Sequence, residues 1–270
     1  MTDLSLSLRP TAGSGVGDAV RDIARAVGPP LVAAAVLLAG WQLVCEAAIV
    51  EPRLLPSPVK VFATLGRSLD VLLVQALPTL YGALAGIGLA ALLGLLLGGA
   101  LAWSQTVMRA VYPTVVFFQL IPKVALAPLF LLWFGTGLAA NIVFSVFIAF
   151  FPVLVATITG LQATPPAFDG LCRSLGMSRM RQFLAVKLPF ALPYIFSGMR
   201  MGVTFAVIGV VLGEFITGQA GLGYIILFSA NNFETALLLA SIVVLCGVGA
   251  LLFGLFLGLE AIVLCLYDSR

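Results

Sequence analysis

Apolar positions along this chain run together in long blocks, separated by short segments rich in proline, glycine or charge. A bilayer-spanning helix needs roughly 20 mostly apolar residues, and six blocks reach that length: 29–50, 77–103, 108–135, 139–160, 189–213 and 235–267. Each predicts a membrane-spanning helix. The third is the least regular, because Pro113, Pro122 and Pro128 each remove a backbone donor and so kink or break the helix. Broken backbone at membrane depth faces protein or a watery cavity. Between the first two blocks, residues 57–73 mix Val59, Phe62, Ala63 and Leu65 with polar neighbours after Pro58, which predicts a short amphipathic helix lying at the outer face. Gly82 and Gly86, Gly94 and Gly98, and Gly254 and Gly258 are each four apart. That spacing lets helices approach closely, and internal packing is preferred here to a seam between subunits.

Composition sharpens this picture. Of 270 residues 61% are hydrophobic and 9% charged, far below the quarter of charged residues usual in a soluble domain. Residues 1–28 read as a polar cytoplasmic tail without a cleavable signal, and 29–270 as one transmembrane domain. Lys and Arg set the orientation. With the N-terminus inside, that side receives Arg9, Arg21, Arg25, Arg109, Arg173, Arg179, Arg181, Lys187 and Arg270, and the other keeps Arg53, Lys60 and Arg67. Both termini are therefore expected in the cytoplasm. Cys45, Cys172, Cys246 and Cys265 are dispersed, without a CxxC pair, and read as small buried apolar residues. The absence of histidine disfavours metal catalysis and histidine proton relays. No GxxxxGK[ST] phosphate loop surrounds Lys60, Lys123 or Lys187, so the chain is not expected to hydrolyse nucleotides.

The longest predicted cytoplasmic connection is 161–188. Thr164 is placed to cap a short helix with Pro165 in its first turn, Gly176 to end it in a left-handed conformation, and Ser178 to cap a second helix running toward Pro189. In the first helix Phe168, Leu171 and Leu175 fall at i, i+3 and i+7 and share a face, while Asp169 and Arg173 point elsewhere. Two readings fit equally. One is a helix that sits in a partner's groove; the other is an amphipathic linker drawn to anionic headgroups by Arg173, Arg179, Arg181 and Lys187.

Polar side chains inside apolar blocks are costly and so become functional candidates. Lys123, after Pro122, either lines a path for an anion or bonds carbonyls that the proline frees. Glu214 either contacts a partner, gates the path, or is a solvated helix end. Gln42, Glu46 and Glu260 read as interfacial. Arg200 either pairs with an acid or faces a cavity, and Gln119 and Asn141 bond between helices.

The loop resembles the EAA loop of ABC importer permeases, in which a glycine follows a small docking helix and a Leu-Pro pair comes later; here these are Gly176 and Leu188-Pro189. Other segments are similar to the nitrate/sulfonate/taurine branch of that family: LLPSPVKVF at 54–62, IPKVALAPLFLLWFG at 121–135, LPFALPYIFSGMR at 188–200 and GEFITGQAGLGYII at 213–226. They cover nearly the whole chain after the tail, in order. One departure is that Gly170, Leu171 and Cys172 stand where Glu-Ala-Ala is usual, with the nearest acid at Asp169.

This resemblance implies an all-α integral membrane fold of the type I ABC importer permease (MetI-like) kind, with six transmembrane helices and a cytoplasmic coupling helix. It implies a bacterial inner-membrane subunit of an ATP-driven importer, carrying a small anionic solute such as nitrate, a sulfonate, taurine or a related organic compound. The implied partners are a second permease subunit in a homodimer, two ATP-binding cassette subunits that hold ATP and Mg, and a soluble substrate-binding protein. No cofactor in this chain and no nucleic acid are expected. Coupling is expected at Phe168, Asp169, Leu171, Cys172, Arg173, Leu175 and Gly176, and the translocation path at Gln119, Lys123, Asn141, Arg200 and Glu214. The alternative is a secondary transporter or channel working without an ATPase. It is disfavoured because no inverted repeat is visible and the basic loop would lack a role.

Overall fold

The computed structural model describes residues 16–47 and 49–268. Arg9, Arg270 and the first part of the predicted tail lie outside them. Among the described residues every regular element is helical. Two compact units divide the chain, one up to Gly66 and one from Arg67 onward.

The first unit holds α1 (Val16–Glu46) and α2 (Pro58–Arg67). α1 starts well before the predicted residue 29 and runs through Pro29 and Pro30, so the expected tail boundary at 28 falls inside a helix. The preceding stretch is rich in alanine and arginine, good helix formers that carry the helix back beyond the prolines. Its apolar side chains, Leu31, Val36, Leu37 and Leu43 among them, are exposed, as on a helix surrounded by lipid. α2 is shorter than predicted. Ser57 Oγ accepts from the Lys60 N–H at 3.4 Å at its start, and its chain leaves helical geometry at Ser68.

The second unit opens with α3 (Leu69–Ala102) and α4 (Gln105–Leu120), then a tight turn at Lys123–Leu126 and α5 (Ala127–Phe134). The pair Thr106–Leu120 and Lys123–Phe134 is bent by 81°, so the third predicted block is broken, as its prolines suggested. Only Pro122 breaks it. Pro113 sits inside α4, and Pro128 lies in the first turn of α5, where a missing N–H has no intrahelical partner to lose. There follow α6 (Leu138–Gln162), α7 (Pro166–Ser174), α8 (Arg179–Gln182), a wide π turn at Phe183–Lys187, α9 (Leu188–Thr217), α10 (Leu222–Asn231) and α11 (Thr235–Asp268). The fifth block was expected at 189–213, yet helical backbone runs from Arg179 to Thr217. The π turn absorbs the missing N–H and the ring of Pro189 without stopping the helix. Five helices are long and apolar enough to span a membrane, or six with the bent pair taken as one.

The core of this unit lies where α3, α6 and α9 meet, and its residues are small. Ala83, Ala90, Ala149, Ala191 and Ala206 are buried, while leucines of α3 and α11 such as Leu96 and Leu255 face outward. Lipid supplies no hydrophobic drive between helices, so close van der Waals contact must hold them. Gly82 meets Val210, Gly86 meets Ser145, Gly94 meets Val153 and Gly98 meets Thr157, which is the internal packing expected of those pairs. Gly254 and Gly258 have nothing within 4 Å. The Ser145 hydroxyl donates to Ala206 O at 2.9 Å and ties α6 to α9. Of the four cysteines only Cys172 is buried, Cys45 is half-buried, and Cys246 and Cys265 are exposed on α11. An outward thiol costs little where the surroundings are apolar.

Candidate functional site

The predicted two-helix loop is present, with some changes in its details. α7 begins one residue later than Thr164 would cap: Pro165 occupies the N-cap without a side-chain bond, and Thr164 Oγ1 is buried without a partner. The far end matches expectation. Gly176 has φ of +66°, its N–H donates to Arg173 O at 3.0 Å, and the Met177 N–H donates to Cys172 O at 2.9 Å, the paired bonds of a Schellman cap. Ser178 Oγ then accepts from the Arg181 N–H at 3.3 Å.

The expected apolar face of Phe168, Leu171 and Leu175 is exposed, but Cys172, also expected to couple, does not share it. The Phe168 ring touches Phe190 of α9, centroids 5.1 Å apart, yet stays 37% exposed, whereas Cys172 is 3% exposed and turns toward the chain's own body. Cys172 therefore offers no surface to a partner in this structure. Leu171 and Leu175 are 54% and 68% exposed, and Arg173, Arg179 and Arg181 are exposed beside them. The Asp169 carboxylate accepts from Gln182 Nε2 and lies 3.7 Å from Lys187 Nζ. It staples α7 to the segment leading into α9, though an exposed ion pair of this kind contributes only about 0–1 kcal/mol.

The path candidates are not brought together into one cavity. Gln119 is exposed, and its carbonyl accepts from Lys123 Nζ at 3.2 Å; the Lys123 ammonium also lies 5.2 Å above the Phe151 ring. The lysine thus satisfies a carbonyl left over at the proline break, the duller of its two expected roles. Asn141 is buried, and its Oδ1 accepts from Thr217 Oγ1 at 3.4 Å, linking α6 to α9. Arg200 pairs with Glu260: Nε donates to Oε2 at 2.8 Å and Nη2 to Oε1 at 2.5 Å. The expected interfacial position of Glu260 is corrected, since it is 5% exposed and held by a two-point bond inside the α9–α11 contact. Gln42 and Glu46, by contrast, bond each other at the exposed end of α1.

Glu214 is 0% exposed. It is neither a solvated helix end nor available to a partner. Its carboxylate accepts from Thr79 Oγ1 at 2.7 Å and from the Gly223 N–H at 2.8 Å. Thr79 Oγ1 in turn accepts from the Leu222 N–H at 2.9 Å, and Gln75 Oε1 accepts from the Gly221 N–H at 2.8 Å. Gln75 and Thr79 were missed by sequence reasoning. A glutamine and a threonine four apart inside an apolar span was the available signal.

The profile of the family described as "Binding-protein-dependent transport system inner membrane component" matches residues 90–263. A probable ABC transporter permease protein of Haemophilus influenzae is 36% identical over 83% of this chain and 91% of that one. The formylaminopyrimidine transport permease protein ThiX of Halalkalibacterium halodurans is 34% identical over 84% of this chain and 91% of its own. The riboflavin transport system permease protein RibX of Chloroflexus aurantiacus is 33% identical over 85% and 88%. Further similar proteins are named for aliphatic sulfonate, nitrate and taurine transport, at 30%, 29% and 30% identity.

Proposed function

Because the chain belongs to the family of binding-protein-dependent transport system inner membrane components and is the membrane-spanning permease of an ABC importer, we propose that α7 is its docking point for an ATP-hydrolysing subunit. Two such subunits bind ATP and Mg and dock on two copies of this chain, and a soluble binding protein hands the solute to the outer face. Both termini lie in the cytoplasm. One observation carries the reading: Leu171 and Leu175 stand exposed at the tip of a capped helix stapled to the 39-residue helical run that crosses the unit.

The acid usual at the docking helix is absent, and Asp169 is engaged within the loop. Docking here rests on Leu171 and Leu175, with Arg173, Arg179 and Arg181 facing carboxylates of the partner. The cargo is a small anionic solute of the nitrate, sulfonate or taurine class, a reading supported by the similar permeases named for those solutes and not by Lys123 at the break of the α4–α5 pair, whose ammonium is held by Gln119 O. Residues around that break, Gln119 included, line its route.

The test uses this chain reconstituted in liposomes with its ATPase and binding protein. Leu171→Asp, Leu175→Asp and Gly176→Val are each expected to insert normally and to lose uptake at least tenfold while the ATPase subunit no longer co-purifies. Wild-type uptake by all three variants would overturn the docking assignment. Uptake of a neutral pyrimidine in preference to nitrate or taurine would overturn the anionic cargo.

A further inference from the structure

The bonds around Glu214 join three helices at one point. α9 ends at Thr217, Gly218 takes the left-handed conformation at φ +58°, and α10 starts at Leu222. The first N–H groups of a helix have no partner within it. Here three successive ones are satisfied by side chains of other helices: Gly221 by Gln75 and Leu222 by Thr79, both on α3, and Gly223 by Glu214 on α9. Thr79 also donates to Glu214, which closes the network.

The backbone is shaped to admit the carboxylate. Gly221 has φ of +103°, where side chains are strained, and a Cβ there would collide with the Glu214 carboxyl group. A Cβ at Gly223 would lie 2.8 Å from Val211 O and 2.9 Å from Glu214 Oε2. The G-x-G spacing therefore serves close approach of α10 to the end of α9. Among the described hydrogen bonds, these are the side-chain bonds that join α10 to α3 and α9, and they add to its packing against α11.

We propose that Glu214 is a positioning residue that ties the start of α10 to α3 and α9 at one point, so that displacement at the docking loop, carried along α9, is felt by the half-length helix at the other end of the span. The inference rests on the docking reading above. The helical run from Arg179 to Thr217 is about 58 Å long at 1.5 Å per residue, and it begins in the segment that Asp169 staples to α7. Sliding of α9 past α3 loads the Glu214–Thr79 bond, which joins the two helices directly beside the start of α10. The role calls for hydrogen-bond capacity and shape: a glutamine amide can accept from Gly223 and donate to Thr79, whose own hydroxyl hydrogen then has the Gln75 carbonyl within reach at 3.4 Å.

The test is uptake per ATP hydrolysed by the full complex in liposomes, for Glu214→Leu, Glu214→Gln and Thr79→Val. Glu214→Leu should keep assembly and basal ATPase activity within about twofold and lose uptake per ATP at least tenfold. Glu214→Gln should restore the ratio to within about threefold of wild type, and Thr79→Val should fall between. A wild-type ratio in Glu214→Leu overturns the proposal, as does a Glu214→Gln variant no better than Glu214→Leu. If Glu214→Leu does not assemble, Thr79→Val decides: an unchanged ratio overturns the proposal and a reduced one upholds it. A wild-type chain that neither binds nor needs the ATPase subunit fails the docking reading instead, and is scored separately.

Discussion

Arg200 and Glu260 show how a single residue's environment decides its meaning. The guanidinium is half exposed and its acid nearly enclosed, at 47% and 7% side-chain exposure, so the acid depends on the arginine more than the reverse. Removing one partner of a buried pair leaves an uncompensated charge and costs about 3–5 kcal/mol, whereas replacing both with apolar groups is often neutral. Arg200→Met is therefore expected to lower the thermal unfolding midpoint of the detergent-purified protein more than Arg200→Met combined with Glu260→Met. A double variant less stable than either single one would contradict this. From sequence, an acid partner was one of two readings open for Arg200, and nothing named which acid. Sixty positions separate the two in sequence, and Glu260, near the end of an apolar block, looked like an interfacial charge until α11 was packed against α9. Glu214 was misjudged for the same reason: its partners lie on α3 and in the start of a helix that no pattern announced.

Among the elements, those governed by local chemistry were readable and those governed by a neighbour were not. The glycine stop of α7, the serine cap of α8 and the break at Pro122 each follow from a residue acting on its own backbone. The continuity of 179–217 and the presence of α10 do not. A π turn before Pro189 keeps a helix going where proline ordinarily starts one, and α10, at ten residues, is too short to register as a span. Its stability comes from packing on α3, α9 and α11. The Schellman cap gives a test at this scale. Asparagine tolerates the left-handed conformation and a β-branched residue does not, with a cost of about 1–2 kcal/mol for ordinary side chains. Gly176→Asn should keep the ATPase subunit bound, and Gly176→Val should release it in a pull-down from membranes. Equal behaviour of the two would mean that the φ of +66° has no part in presenting Leu175.

For the whole molecule the question is which side of the membrane each loop faces, and the bent pair decides it. If α4 and α5 together cross the bilayer, Arg109 at the start of α4 and the group Arg173, Arg179, Arg181 and Lys187 after α6 share one side. If the pair enters and leaves on the same side, that group faces opposite to Arg109. Positive charge gathers on the cytoplasmic side of short loops, and the crossing arrangement is the one that puts Arg109 and the basic group after α6 together, against Arg53, Lys60 and Arg67 on the other side. The 81° bend does not oppose it, because the carbonyls freed at Pro122 find partners such as the Lys123 ammonium, and irregular backbone is tolerated at depth when it is satisfied in this way. Two exposed positions on either end of α6 distinguish the arrangements. With crossing, a membrane-impermeant maleimide added to intact cells should label Thr136→Cys and leave Leu175→Cys unmodified until the membrane is opened, since Leu175 then stands on the inner side where an ATPase can reach it. The reverse pattern would put Leu175 outside and, with it, remove the physical basis for a motor acting on α7, whatever the resemblance of the sequence.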